Sequence, residues 1–247
     1  MKNFLIACLC AILITQLFAC DKRENPDVTT TASDTAVSDG TTSNQPLDPV
    51  YSIETVTPDF GDAVQISYTV LKTGDAALDE VLLTEAKNEL AKYIPNASSI
   101  SEEGGEAEYT VTATSVYTDE RLLSAIFTGS YTVYSAGGSA DETSGEVFYT
   151  VNIDLAEREL LGGDDIFSDF SAFITAFTDG KFEGGESNAD YASLIAPYRP
   201  EYDIYPYVCF DSEYFYVNIT ETGVTETNTL YKIARTDAAV FLDADFR

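Results

Sequence analysis

The chain has 247 residues, 45% of them hydrophobic and 12% aromatic, which suffices for one globular domain with a sizeable core or for two small ones. Its formal net charge of −29 excludes nucleic acids as partners, because binding to them depends on neutralising phosphates with basic side chains. Histidine is absent, so neither a Ser–His–Asp or Cys–His catalytic site nor an imidazole metal site can be built. Catalysis is therefore disfavoured, and we expect neither a cofactor nor a metal ion.

An export signal stands at the start of the chain. Lys2 precedes an apolar run over residues 4–18, which is too short to span a membrane comfortably. The run ends in Leu17-Phe18-Ala19-Cys20, which resembles the lipobox of bacterial lipoproteins. We predict removal of residues 1–19, lipidation of Cys20, and a protein anchored to a bacterial membrane that faces outside the cytoplasm. An uncleaved membrane helix is the alternative, which the polar residues beginning at Asp21 disfavour.

The segment behind the signal is polar. Residues 20–49 are rich in Thr, Ser and Asp and cannot bury enough apolar surface to offset the entropy of ordering, so they are predicted to form a flexible tether. The predicted domain covers residues 50–247. Once the signal is removed and Cys20 carries lipid, Cys209 is the only remaining cysteine. We interpret it as a small buried hydrophobe and not as a nucleophile.

The first half of the domain predicts a strand, a helix and a run of strands. Apolar and polar residues alternate from Val64 to Val70. Asp75 is placed to N-cap a helix that continues to about Tyr93. The apolar stripe of this helix comprises Leu78, Val81, Leu82, Ala86, Leu90 and Tyr93. A polar loop over residues 98–106 leads to three strands with short connections, at 109–117, 122–134 and 147–155, which predict an antiparallel meander.

The second half adds a helix and closing strands. Residues 166–177 predict a short amphipathic helix, and Asp164-Asp165 are placed to cap it. Strands near residues 202–210, 214–219 and 238–242 are predicted to close the chain. The predicted fold is α+β, with an antiparallel meander sheet packed against one long and one short helix.

Five segments in this order match a known pattern: VQISYTVLKTGDAALDEVLLTEAKNEL, LLSAIFTGSYTVY, VNIDLAERELLGGDDIF, EYFYVNITETGV and LYKIARTDAAVF. Together they resemble a group of extracytoplasmic bacterial domains, the DUF4163/DUF3298 pair, with a DUF4163-like part at about 50–135 and a DUF3298-like part at about 136–247. Such domains occur in an anti-sigma factor that senses lysozyme and beside a peptidoglycan deacetylase. The resemblance implies an α+β fold and a role at the cell envelope. It does not imply deacetylase chemistry, which belongs to a separate domain.

Two departures from the family pattern mark candidate ligand-binding residues. The family loop carries Gly-Ala-His, where this chain has Gly137, Gly138, Ser139, Ala140 and Asp141. The late segment opens with Pro-Tyr in the family, where this chain has Leu230-Tyr231. If these positions form a ligand surface in relatives, the loop and Tyr231 are candidate contacts here, and the ligand of this chain differs.

The leading hypothesis is a non-catalytic binding module that captures a cationic envelope protein, and lysozyme is the most specific candidate partner. Four tyrosines, Tyr198, Tyr202, Tyr205 and Tyr207, form a further candidate surface, although alternate tyrosines in a strand are more often core. The alternative is a carboxylate-dependent enzyme acting on cell-wall glycan, for which Asp164-Asp165 and Glu157/Glu159 are visible acidic groups. Calcium binding by Asp59-Phe60-Gly61-Asp62 is disfavoured, because the EF-hand pattern is absent.

Overall fold

The computed structural model describes residues 51–134, 142–185, 190–221 and 227–246. Residues 1–50, which include the predicted signal, Cys20 and tether, lie outside the described residues. In the described part of the chain, no helix is both long enough and apolar enough to cross a bilayer.

The larger of two sheets has six strands in chain order. They are β1 (Ser52–Val56), β2 (Val64–Lys72), β3 (Glu106–Thr118), β4 (Leu122–Tyr134), β5 (Glu142–Asp154) and β6 (Glu159–Leu160). The predicted meander is confirmed as β3–β4–β5, whose neighbours pair antiparallel. β2 and β3 are parallel, a pairing that the meander prediction misses. The division predicted at about residue 135 lies between β4 and β5, which pair along their whole length, so both parts contribute to one sheet.

The parallel pair is connected by two helices, α1 (Ala76–Tyr93) and α2 (Ala97–Glu102), as a parallel crossover requires. The predicted cap is confirmed, because the Asp75 carboxylate accepts hydrogen bonds from the N–H groups of Ala77 and Leu78. These bonds to Leu78 and Ala77 hold the pKa of Asp75 below its usual value. The helix buries Leu78, Leu82, Ala86 and Leu90 against the sheet. Val81 is 46% exposed, which corrects its place in the stripe, and α2 occupies part of the predicted loop.

The second sheet has three antiparallel strands, β7 (Tyr207–Phe210), β8 (Tyr214–Glu221) and β9 (Thr227–Ala234). Four short helices accompany it: α3 (Gly163–Ile166), α4 (Phe170–Thr178), α5 (Tyr191–Ile195) and α6 (Arg235–Ala238). A second core of aromatic side chains lies here, and its fully buried rings include Phe173, Phe177, Phe215 and Phe241. The rings meet edge to face or tilted, the arrangement that aromatic quadrupoles favour.

The predicted α+β class is confirmed, and three of its details are corrected. The single helix predicted over 166–177 is two helices, because the Asp169 side chain accepts a hydrogen bond from Ala172 N–H and starts α4 anew. The predicted strand 202–210 is formed only at its end, in β7. The predicted strand 238–242 is absent, because β9 precedes it and the chain turns into α6 at Arg235.

Buried polar side chains join the two sheets. Ser124 of β4 donates to Asn152 Oδ1 of β5 at 2.7 Å, and both side chains face β7. Asn152 Nδ2 donates to the Val208 carbonyl at 2.8 Å, and the Phe210 N–H donates to Ser124 Oγ at 2.9 Å. β8 lies along the other edge of β7, so both edges of this buried strand are satisfied. We call these four groups the inter-sheet network.

Candidate functional site

The face of the larger sheet that points away from α1 is polar and partly open to solvent. Successive side chains of a strand alternate between faces, and the pairing register places those of this face in rows across the strands. The rows are Gln65–Glu108–Thr132–Ser144, Ser67–Thr110–Ser130–Glu146 and Glu106–Tyr134–Glu142. Paired side chains of neighbouring strands are roughly 5 Å apart, so the eleven residues form a continuous surface, which we call the open face.

The open face carries negative charge without any positive charge. Its carboxylates are Glu106, Glu108, Glu142 and Glu146, all exposed, whereas β3, β4 and β5 contain no Lys or Arg. None of the four makes an ion pair with another described residue. The hydroxyls of the Ser and Thr residues between them can donate and accept hydrogen bonds. The surface is therefore suited to a partner that presents cations together with hydrogen-bonding groups.

A shallow groove of about 320 Å³ borders the open face at the β1 side. Gln65, Ser67 and Thr110 of the open face line it together with the segment 57–60. The turn that shapes this segment is ordered by Asp59, whose Oδ1 accepts a hydrogen bond from Gly61 N–H at 3.0 Å, and by a left-handed Gly61 with φ of 89°. The segment adds the Thr57 hydroxyl and the Asp59 carboxylate to the open face, together with the apolar side chains of Pro58 and Phe60.

The predicted loop Gly137, Gly138, Ser139, Ala140 and Asp141 lies outside the described residues. Its described neighbours Tyr134 and Glu142 pair with each other at the end of β4 and β5, within the open face. The described chain on either side of the predicted loop therefore ends at the open face.

Tyr231 does not belong to an accessible surface. Its side chain is 0% exposed, and its ring lies 5.0 Å from that of Phe177 and 6.2 Å from that of Tyr191. Every second residue of β9 faces the second core, and Tyr231 stands at such a position beside Val217 of β8. This burial corrects the expectation that its side chain contacts a ligand.

The four tyrosines near residue 200 have different environments. Tyr202 is 74% exposed, whereas Tyr198, Tyr205 and Tyr207 are half-buried. The Tyr207 hydroxyl lies 2.8 Å from both carboxylate oxygens of Glu89 and 2.7 Å from Lys92 Nζ. Burial, followed by the nearby Glu89 carboxylate, raises the pKa of Tyr207. Three of the four are thus structural, and one is available to a partner.

Sequence reasoning missed two buried polar side chains, one of which bonds to Tyr207 and the other to β7. Glu89 is 1% exposed on the apolar face of α1, where its charge is paired with Lys92 Nζ at 2.6 Å. The sequence signal for the burial of Glu89 is its position directly before Leu90 of the apolar stripe. A search that counts only apolar residues does not detect it. Asn152 is 4% exposed, and its side-chain role becomes visible only when β7 is placed beside it.

The acidic groups considered for catalysis occupy exposed positions. Asp165 accepts a hydrogen bond from Gly162 N–H at 2.8 Å, and it lies with Asp164 inside the first turn of the short helix α3. The expected cap of the following helix is supplied by Asp169 instead, which corrects the predicted role of the pair. Glu157 and Glu159 are exposed, the first in the turn before β6 and the second in β6 itself. Across the described ranges, no group of three or more His, Cys, Asp or Glu side chains is placed to hold a metal ion. Cys209 is 1% exposed, which confirms its interpretation as a buried residue, and burial raises the pKa of its thiol.

Comparison with known proteins finds similarity only among solved structures. No family model matches the chain, and no curated protein matches it. A DUF3298 family protein from Pseudomonas aeruginosa PAO1 is similar to it with a TM-score of 0.49 and 12% identity, over 81% of this chain and 98% of that one. A member of the DUF3298 family from Bacteroides fragilis NCTC 9343 is similar with a TM-score of 0.43 and 15% identity, over 80% of this chain and 96% of that one. Both structures carry the name of the family that the sequence resembles.

Proposed function

We propose that this chain is a non-catalytic binding domain, exported and held at a bacterial membrane by lipid on Cys20, that captures a cationic protein of the cell envelope. The observation that carries the proposal is the open face, whose four carboxylates make no ion pair with another described residue. Its eleven residues include several hydroxyls and neither Lys nor Arg. The net charge of −29 attracts a basic partner from a distance and raises its association rate. The open face then offers complementary charges on β3 and β5, the strands that flank β4.

The geometry of the acidic groups favours binding over the alternative of glycan hydrolysis. Catalytic carboxyls work across a cleft that excludes water and holds their pKa values apart. The carboxylates of the open face, like Asp164-Asp165 and Glu157/Glu159, are instead exposed. Solvent-exposed charges contribute chiefly to steering and specificity, which is what capture of a basic protein needs.

Lysozyme is the cationic envelope-directed protein that we propose as the partner to test first. Removing three carboxylates from the open face, in the triple variant Glu106→Gln, Glu108→Gln and Glu146→Gln, is expected to weaken binding about tenfold, because each change removes a charge and keeps the size of the side chain. Titrations of residues 21–247 with lysozyme at about 0.02 M and about 0.15 M salt measure this, since screening distinguishes specific contacts from bulk attraction.

The matched control changes the same number of charges away from the open face, in the triple variant Glu80→Gln, Glu157→Gln and Asp179→Asn, all at exposed positions. It is expected to bind nearly as well as the unaltered chain at the higher salt. Equal weakening in both variants, or loss of all binding at about 0.15 M salt, contradicts a specific site and leaves only attraction of opposite charges.

Anchoring through Cys20 has a separate test. The Cys20→Ser variant is expected to lose incorporation of a labelled fatty acid and to appear in the soluble fraction when the full chain is expressed in bacteria. Cys209→Ser is the control, because that thiol is buried in the fold. Fatty acid label that persists in Cys20→Ser contradicts the proposed anchor.

A further inference from the structure

The segment Arg199–Ile204, which we call the Tyr202 loop, is closed by its own backbone hydrogen bonds. Arg199 and Ile204 exchange both bonds, with Arg199 N–H donating at 2.8 Å and Ile204 N–H donating at 3.0 Å. Inside them, Tyr202 N–H donates to the Arg199 carbonyl and Asp203 N–H to the Pro200 carbonyl, each at 3.0 Å. Four bonds within six residues, together with the fixed φ of Pro200, give the loop one conformation before any partner arrives.

Both ends of the Tyr202 loop are fastened to the second core. The Tyr205 ring stacks on that of Phe167 at 6.0 Å and meets that of Phe170 edge to face at 5.3 Å. It lies so close to Gly163 that a Cβ there would approach a Tyr205 ring atom to 2.0 Å, so glycine is required at that position. On the other side, the Tyr198 hydroxyl reaches the Asn218 carbonyl of β8 at 3.5 Å.

The tip of the loop presents apolar side chains to solvent. Tyr202 is 74% exposed and Ile204 is 47% exposed. Asp203 between them has φ of 58°, a left-handed conformation that costs free energy for a residue other than glycine. A strained, pre-ordered loop that exposes a tyrosine is the arrangement in which a large ring can enter a partner's pocket at little entropic cost.

The surroundings of the tip define the chemistry of its partner. Glu201 and Asp203 belong to the loop and are exposed, and Asp164 and Asp165 directly follow Gly163, which Tyr205 covers. Arg199 is the one basic residue of the loop, and its guanidinium contacts the Tyr198 carbonyl at 3.3 Å. An apolar tip among carboxylates fits an apolar pocket edged by Lys and Arg. The carboxylates around the tip repel anionic lipid headgroups. They also repel a second copy of this chain, because that copy carries the same net charge of −29.

We propose that Tyr202 and Ile204 form the apolar anchor by which this domain holds the cationic protein that the open face attracts. The inference rests on the proposed function and identifies a second contact with the same partner. The two surfaces are within reach of one another: the Tyr207 ring lies 6.4 Å from that of Phe148, two residues from Glu146 along β5. Tyr202 precedes Tyr207 by five residues, which span at most about 18 Å. An interface of about 800 Å² per partner covers such a separation.

The test compares Tyr202→Ala with the unaltered residues 21–247 in titrations with lysozyme at about 0.15 M salt. Tyr202→Ala is expected to bind at least tenfold more weakly, mainly through faster dissociation, because buried aromatic anchors dominate interface energies. The salt dependence is expected to stay as it was, since no charge changes. Val240→Ala, which also truncates a 66%-exposed apolar side chain, is the control and is expected to bind normally. Thermal unfolding of both variants is expected to match that of the unaltered chain.

Each result decides a different point. An unaltered chain that does not bind lysozyme overturns the proposed function and this inference with it. An unaltered chain that binds, together with a Tyr202→Ala variant that binds equally well, overturns this inference and leaves the proposed function standing. Sedimentation of the unlipidated domain with phosphatidylcholine vesicles, or its dimerisation, overturns the inference if either is abolished by Tyr202→Ala, because the occupant of the tip is then a membrane or a second copy.

Discussion

Replacing Asn152 with alanine is expected to lower the free energy of unfolding by about 2–4 kcal/mol. The side chain is 4% exposed, accepts a hydrogen bond from Ser124 and donates one to the Val208 carbonyl. Truncation leaves that carbonyl buried without its donor, opens a small cavity, and removes a link between the two sheets. Urea unfolding followed by circular dichroism measures the change, with the slope against urea expected to remain constant.

Matched variants separate the network from general damage. Ser124→Ala is expected to cost about 1–3 kcal/mol, because the Phe210 N–H loses its acceptor. Ser130→Ala, on the same strand and the same face but exposed, is expected to cost less than about 0.5 kcal/mol. The double variant at Ser124 and Asn152 is expected to lose less than the two single losses together, since the residues share one network. Additive losses would show that the two side chains act independently.

Local patterns in the sequence specify much of this fold. The alternation from Val64, the cap at Asp75 and the three long strands each leave a signal within a few residues, and the structure has all of them. The misplaced last strand has a different cause. Residues 238–242 are apolar enough for a strand, yet Ala238, Phe241 and Leu242 are buried by a short helix and the turn after it. Apolar runs of this length do not distinguish a strand from a buried helical turn.

The candidate site is harder to predict from the sequence than the fold, because it depends on how the strands pair. Glu106, Glu108 and Glu146 are separated by up to 40 positions in the chain, and only the register of β3, β4 and β5 brings them onto one surface. The parallel alignment of β2 adds Gln65 beside Glu108. Tyr231 was misassigned for the same reason, since a family comparison gives a position in the chain, whereas the alternation of β9 decides which way the side chain points.

A steep loss of stability above about pH 10 is the second large effect that we expect. Tyr109 and Tyr149 are 1% and 2% exposed in the core between the larger sheet and α1, which we call the first core. Burial raises the pKa of both phenols well above the ordinary value of about 10. The folded state therefore keeps both protons at a pH where the unfolded chain releases them. The associated stability is fully present below about pH 10 and is lost as the pH rises further, by about 1.4 kcal/mol per pH unit for each tyrosine.

The Tyr109→Phe variant tests whether the buried phenols cause this loss of stability. It removes only the Tyr109 hydroxyl, which has no hydrogen-bond partner among the described residues. The variant is expected to be about 1 kcal/mol more stable at pH 7, since it removes an unsatisfied buried hydroxyl. Its stability is also expected to fall less steeply above pH 10, because one of the two tyrosines no longer titrates on unfolding. Urea unfolding between pH 7 and about pH 11.5, with phenolate absorbance of the native state, measures both. Ionisation of all 16 native phenols near pH 10, without loss of stability, would place the Tyr109 and Tyr149 hydroxyls in water, contrary to the packing of the first core against α1.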